Sequence, residues 1–115
     1  MRRGEIRLVD LDPTVGSEAS KLRPAVIVSN DRANSSAARS DRGVVTVVPV
    51  TSNVSRIFPF QVLLPAEATG LRTDSKARAE QVRSVSVARL GHVVGRLPAP
   101  LLKELDGALR LHLDL

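Results

Sequence analysis

The sequence contains no cysteine, no tryptophan and no tyrosine, and only two phenylalanines, Phe58 and Phe60. Without cysteine, disulfides, thiolate metal sites and a cysteine nucleophile are excluded, and a reducing, cytoplasmic compartment is the expected setting. With so few aromatics the core has to be built from Val, Leu, Ile and Ala, and a hydrophobic fraction of 43% is enough for that. Long apolar runs are missing too. None approaches the roughly 20 residues that a membrane span needs, and Met1-Arg2-Arg3 leads into a charged strand instead of an apolar signal segment. Histidine is limited to His92 and His112. A two-histidine acid/base site would need both, yet one lies on the expected terminal helix and the other follows Gly91 in an expected turn, so each reads as a surface or helix-end residue. His-rich, carboxylate-rich and Gly-rich phosphate-cradling motifs are all lacking, so neither a metal nor a nucleotide cofactor is expected.

What is present in quantity is arginine. Of 17 basic residues 14 are Arg, the net charge is +5, and residues 1–97 carry +6 of it against −1 for residues 98–115. The basic character therefore belongs to the body of the fold. A guanidinium pairs with phosphate oxygens two at a time and stacks on bases, which favours a nucleic-acid partner, although a solvated basic surface gives the same composition. At 115 residues, with no composition shift, repeat or low-complexity tract, the chain reads as one domain spanning residues 1–115.

Apolar patterning predicts a first strand over Glu5 to Leu11, stopped by Asp12-Pro13, and a mobile surface loop from Pro13 to Leu22. Pro24 to Ser29 is a continuous apolar run, as expected of a central strand covered on both faces. Asp31 to Arg42 reads as a loop with a helical turn. Val44 to Val50 and Phe58 to Leu64 read as strands joined in a hairpin through the polar turn Thr51 to Arg56. A loop from Pro65 to Arg72 precedes three short strands, Ser75 to Glu80, Val82 to Val87 and Val93 to Leu97. Many short strands at close spacing imply a barrel-like or strongly bent sheet. Leu101, Leu102, Leu105, Ala108, Leu109 and Leu113 recur at helical spacing, so an amphipathic helix closes the fold, with Pro98 or Pro100 in its first turn.

Polar residues gather at the predicted strand ends: Arg23 before Pro24, Thr51 and Ser52 after Val50, and Arg78 with Glu80 and Gln81. If two of these ends meet, a guanidinium, a hydroxyl and a carboxylate would face one phosphate, which is what RNA transesterification requires. Singly, each has a plainer role: Arg23 as a surface charge, Thr51 as a turn residue bonding its own backbone, Glu80 as an ion-pair partner of Arg78.

Read with their neighbours, these positions form an ordered set. Arg3-Gly4-Glu5-Ile6, Val9-Asp10-Leu11-Asp12-Pro13, Gly16-Ser17-Glu18 and Arg23-Pro24-Ala25-Val26-Ile27-Val28-Ser29 are followed by Val48-Pro49-Val50-Thr51-Ser52. Gly70-Leu71, Asp74-Ser75, Gln81-Val82-Arg83-Ser84-Val85 and Arg89-Leu90 with Gly95 complete it. In order and spacing this resembles MazF/PemK toxins along nearly the whole chain. The resemblance implies a mainly β, SH3-like curved barrel of the CcdB/PemK type with a C-terminal helix, assembled as a homodimer. It implies the toxin of a type II toxin–antitoxin system that cuts single-stranded RNA without a metal, leaving a 2′,3′-cyclic phosphate and a 5′-hydroxyl. The partner it implies is a small acidic antitoxin.

Carried over by position, the resemblance makes Arg23 and Thr51 the catalytic pair, the guanidinium and the hydroxyl both bonding the scissile phosphate. Arginine holds its proton too tightly to act as an ordinary base. In the PemK/Kid branch an Arg-x-Asp-Gln pattern supplies a catalytic carboxylate, and Arg78-Ala79-Glu80-Gln81 matches it with a side chain longer by one methylene, so Glu80 is the base candidate. That branch also uses a first-loop His where this chain has Ser17, and the family usually has an aromatic where this chain has Arg7. Ser17, Glu18 and Lys21 of the first loop, with Ser52, Asn53, Arg78 and Gln81, are the expected RNA contacts. Two rivals remain: a CcdB-like gyrase poison, which depends on C-terminal residues often including Trp, whereas this chain ends Leu113-Asp114-Leu115; and an RNA-binding module without activity.

Overall fold

The computed structural model describes residues 1–11 and 22–115. Among these residues seven strands, β1 (Glu5–Asp10), β2 (Leu22–Ile27), β3 (Val44–Thr51), β4 (Gln61–Leu64), β5 (Ser75–Arg78), β6 (Arg83–Ser86) and β7 (Leu90–Arg96), form one antiparallel sheet. Among the described residues three α-helices accompany it: α1 (Asp31–Ser40), α2 (Ala66–Thr69) and α3 (Ala99–Leu113). The strand order is β4-β5-β3-β2-β1-β7, with β6 also on β3. The path is open, so the expected barrel is a mainly β sheet with a C-terminal helix that does not close on itself. The expected β3–β4 hairpin does not form either, because β4 pairs with β5 and β5 returns to β3.

β2 and β3 are continuous apolar runs because both of their faces are covered. Val26, Val48 and Val50 join Ile6, Leu64, Leu97, Leu105 and Ala108 in a core beneath α3. Their neighbours Ala25, Ile27, Val45 and Val47 face the other way, with Val9, Val85 and Ala37 of α1. The period-2 alternation of a strand thus splits one run of valines between two cores. Leu105 is fully buried, which contributes about 1.5–3 kcal/mol relative to exposure. Leu113, expected on the buried stripe of α3, is exposed, beyond the last turn that reaches the sheet.

The segment expected to be a loop with one helical turn is the ten-residue helix α1. Its buried positions are Asn34 and Ala37, one turn apart, so its apolar signal is a single alanine. Asn30 caps it by accepting from the Ala33 amide at 2.8 Å, and buried Asn34 donates to the Ser29 carbonyl at 2.9 Å and bonds the Ser29 hydroxyl. A polar residue satisfied in this way serves as core. The helix also lies against Gly43, where a Cβ would stand 2.4 Å from the Ala37 Cα.

Candidate nucleic-acid interface

Arg23 and Thr51 sit where the sheet forks. β2 pairs with β3 through Ile27↔Val47, Val26↔Val48 and Ala25↔Pro49, and there the ladder stops. Pro49 has no amide hydrogen to continue it. Among the described residues β2 runs on to Leu22 held only by β1, through Leu8↔Pro24, Val9↔Arg23 and Asp10↔Leu22. β3 runs on to Thr51 held by β5, through Val50↔Ala77 and Thr51↔Lys76. Pro24 keeps the preceding Arg23 extended. A groove of about 680 Å³ opens at this fork, with Arg23, Thr51 and Ser52 among its lining residues.

Its far wall is made by α2 and the residues after it. Gly95 of β7 allows the close approach, since a Cβ there would stand 2.5 Å from the Thr69 carbonyl oxygen. The helix start is fixed by Asp74, whose carboxylate accepts from the Ala66 amide at 2.8 Å. Its end is fixed by Gly70 in the left-handed region (φ 85°), a conformation that suits glycine. Leu71, Arg72 and Thr73 are thereby brought to the groove, together with Val94 and His92 of β7.

The arrangement suits a phosphodiester. Arg23 and Arg72 bring two fixed positive charges, Thr51, Ser52, Thr73 and Ser75 bring hydroxyls, and no carboxylate occurs among the described lining residues. Thr51 performs the plain role as well as leaving room for the other: its Oγ1 accepts from the Asn53 amide at 3.3 Å, so its own O–H remains a donor. Asn53 in turn accepts from the Ser55 amide at 3.2 Å and hydroxyl at 2.8 Å, which shapes the turn after Ser52.

The third expected strand end does not line this groove. Arg78, Glu80 and Gln81 lie at the end of β5 and in the short 3₁₀ turn Ala79–Gln81. Glu80 takes its hydrogen bond from the Gln61 Nε2 at 2.6 Å, and its other oxygen and the Arg78 Nε are buried without a partner. Ser17, Glu18 and Lys21 lie outside the described residues. His92, by contrast, read in the sequence as a turn residue, is on β7 and lines the groove with Arg23 and Thr51. Arg72 and Thr73 also went unmarked in the sequence. Only their place between Gly70-Leu71 and Asp74-Ser75, both within the ordered set, could have flagged them.

A family profile described as the PemK-like, MazF-like toxin of type II toxin–antitoxin systems matches residues 2–113. The chain belongs to that family. Endoribonuclease MazF9 of Mycobacterium tuberculosis is 63% identical to this toxin over 115 residues, which are 100% of this chain and 98% of the relative. Among solved structures, the Mycobacterium tuberculosis toxin MazF-mt6 superposes with a TM-score of 0.76 at 26% identity, covering 96% of this toxin and 97% of that chain. A MazE-MazF structure from Deinococcus radiodurans gives 0.76 at 25% identity, covering 100% and 97%. In this toxin Arg7, where the family usually has an aromatic, ties β1 to β7: its Nε donates to Glu5 at 3.1 Å and its Nη1 to the Gly91 carbonyl at 3.0 Å.

Proposed function

We propose that this toxin is a metal-independent endoribonuclease that cuts single-stranded RNA in the Arg23–Thr51 groove, acting as a homodimer in the cytoplasm. The observation that carries the reading is the convergence of a guanidinium and a free hydroxyl donor on one basic groove at the β2/β3 fork. The name of the 63% identical relative supports the same activity. In the reaction the 2′-oxygen attacks phosphorus and loses its proton, the bond to the 5′-oxygen breaks, and that oxygen takes up a proton. The products are a 2′,3′-cyclic phosphate and a 5′-hydroxyl. Arg23 bonds the phosphate oxygens as their charge grows and Thr51 donates to one of them.

His92 is the residue we assign to proton transfer, because it is the one imidazole among the described lining residues and an imidazole nitrogen can both take up and give back a proton. Glu80 then acts through the Gln61 contact instead of at the phosphate. Ser52 and Asn53 contact RNA beside the scissile step. The MazE-MazF relative supports an antitoxin as partner, and the basic surface favours an acidic one.

The test is the purified protein with a diverse transcript pool in EDTA. Fragments ending in cyclic phosphate are expected; a folded dimer that leaves every transcript intact overturns the reading. A gyrase poison is not favoured, since the family relatives bear endoribonuclease names.

A further inference from the structure

Both phenylalanines of the chain lie in the segment between β3 and β4, and they form a column. The Phe58 and Phe60 rings are stacked, 5.4 Å between centroids and 8° from parallel, and the Arg56 guanidinium lies over Phe58, 4.5 Å from its centroid. His112 of α3 packs at a tilt against Phe60, 6.5 Å away. Neighbouring Ile57 is 40% exposed and Arg56 itself is exposed, so the top of the column faces solvent.

This segment is held more firmly than its sequence suggests. Lys76, 8% exposed, donates its ammonium to the Arg56 carbonyl at 2.6 Å. Gln61 accepts from the Phe58 amide at 3.1 Å and donates to Glu80 at 2.6 Å. A buried lysine and a buried glutamine thus fix the backbone on both sides of the column. Lys76 is also the β5 residue paired with Thr51, so the column stands one lysine side chain from the catalytic hydroxyl. The chain leaves the groove at Ser52 and reaches Arg56 directly.

We propose that Arg56 and Phe58 form a stacking subsite for an unpaired RNA base next to the cleaved step. The inference rests on RNA being the substrate. Three features point to this occupant and no other: a flat aromatic face for a base, a cation for the adjoining phosphate, and continuity with the basic groove. Arg56 is the exchangeable member. When the base takes the face of Phe58, the guanidinium moves to the neighbouring phosphate, where its positive charge is better used. Stacking of this kind tolerates every base, so the subsite adds affinity and strand direction while sequence is read elsewhere.

The chain lacks tryptophan and tyrosine, so Phe58→Trp creates a protein with a single indole emitter. The probes are four twelve-residue 2′-O-methyl oligonucleotides, one of each base, and an abasic twelve-residue strand of equal charge. Quenching of the indole by the base-bearing strands and not by the abasic one is expected. Anisotropy titration of Phe58→Leu should show about tenfold weaker binding of the base-bearing strands, in the range found for losing one stacking side chain, with abasic binding unchanged. Equal quenching by the abasic strand, no quenching at all, or an unchanged affinity of Phe58→Leu for base-bearing strands overturns the proposal. Abasic binding that falls in parallel overturns it too, since the ring would then serve only the fold. Cleavage of transcripts in EDTA is scored separately, so a ribonuclease without this subsite and a base-stacking protein without ribonuclease activity give different results.

Discussion

Arg23 and Thr51 stand across from each other, two residues beyond Ala25↔Pro49, on strands that no longer pair with one another there. Arg23 is carried by the β1–β2 ribbon and Thr51 by the β3–β5 ribbon. Arg23→Ala and Thr51→Val should each lower the cleavage rate by about 10²-fold or more, the usual effect of losing one electrostatic donor. Both variants should unfold at the wild-type urea midpoint, because Arg23 is exposed and valine suits a strand. Thr51→Ser should keep most activity. Initial rates on a labelled RNA check all three, and full rates in the first two variants would refute the assignment.

His92 and Glu80 are separated by kinetics. His92→Gln should lower kcat by about 10²-fold, within the range for general acid–base catalysis. Glu80→Gln keeps an oxygen that can accept from Gln61, so its rate should stay within a few-fold of wild type. The reverse pattern would return the base to Glu80.

Gly95 supports the far wall. Gly95→Ala places a methyl carbon against the Thr69 carbonyl, a backbone atom that cannot turn aside. Overpacking of this kind costs about 1–3 kcal/mol, and α2 should shift away from β7, carrying Leu71 and Arg72 with it. A lower urea midpoint together with a raised KM is the expected result.

Glu5 gives the fold a dependence on acid. Burial raises the pKa of its carboxyl, but the hydrogen bond from Arg7, the contact with the Arg2 backbone and the Arg7 charge together hold it below the ordinary value. A carboxyl that ionises more readily folded than unfolded stabilises the fold above its unfolded pKa, and the contribution is lost as pH falls through the folded one. Arg7→Leu should therefore destabilise the protein by about 1.5–3 kcal/mol near neutrality, the range for a hydrogen bond to a charged group. The gap from wild type should narrow in strongly acid buffer, as thermal unfolding across a pH series will measure.

The strands and the terminal helix were legible because each carried a period of its own, and the Pro24–Ser29 run announced a strand covered on both sides. Helix α1 was not, since Asn34 looks polar until its partner Ser29 is seen beside it. Pairing was hidden as well: proximity in sequence suggested β3 with β4, whereas β3 divides its edges among β2, β5 and β6. Arg23 and Thr51 could be named from the ordered motifs, but their meeting depends on a register that no local pattern encodes. His92 shows the converse. Its neighbour Gly91 suggested a turn, yet that glycine serves a close strand contact, with a Cβ position 3.1 Å from the Leu8 carbonyl oxygen.

Because Pro49 ends one ladder while β3 continues on another, the aperture between guanidinium and hydroxyl is set at Ala25 and Pro49, both of them buried. Exchanging core residues at this branch point would therefore widen or narrow the jaws without altering Arg23 or Thr51.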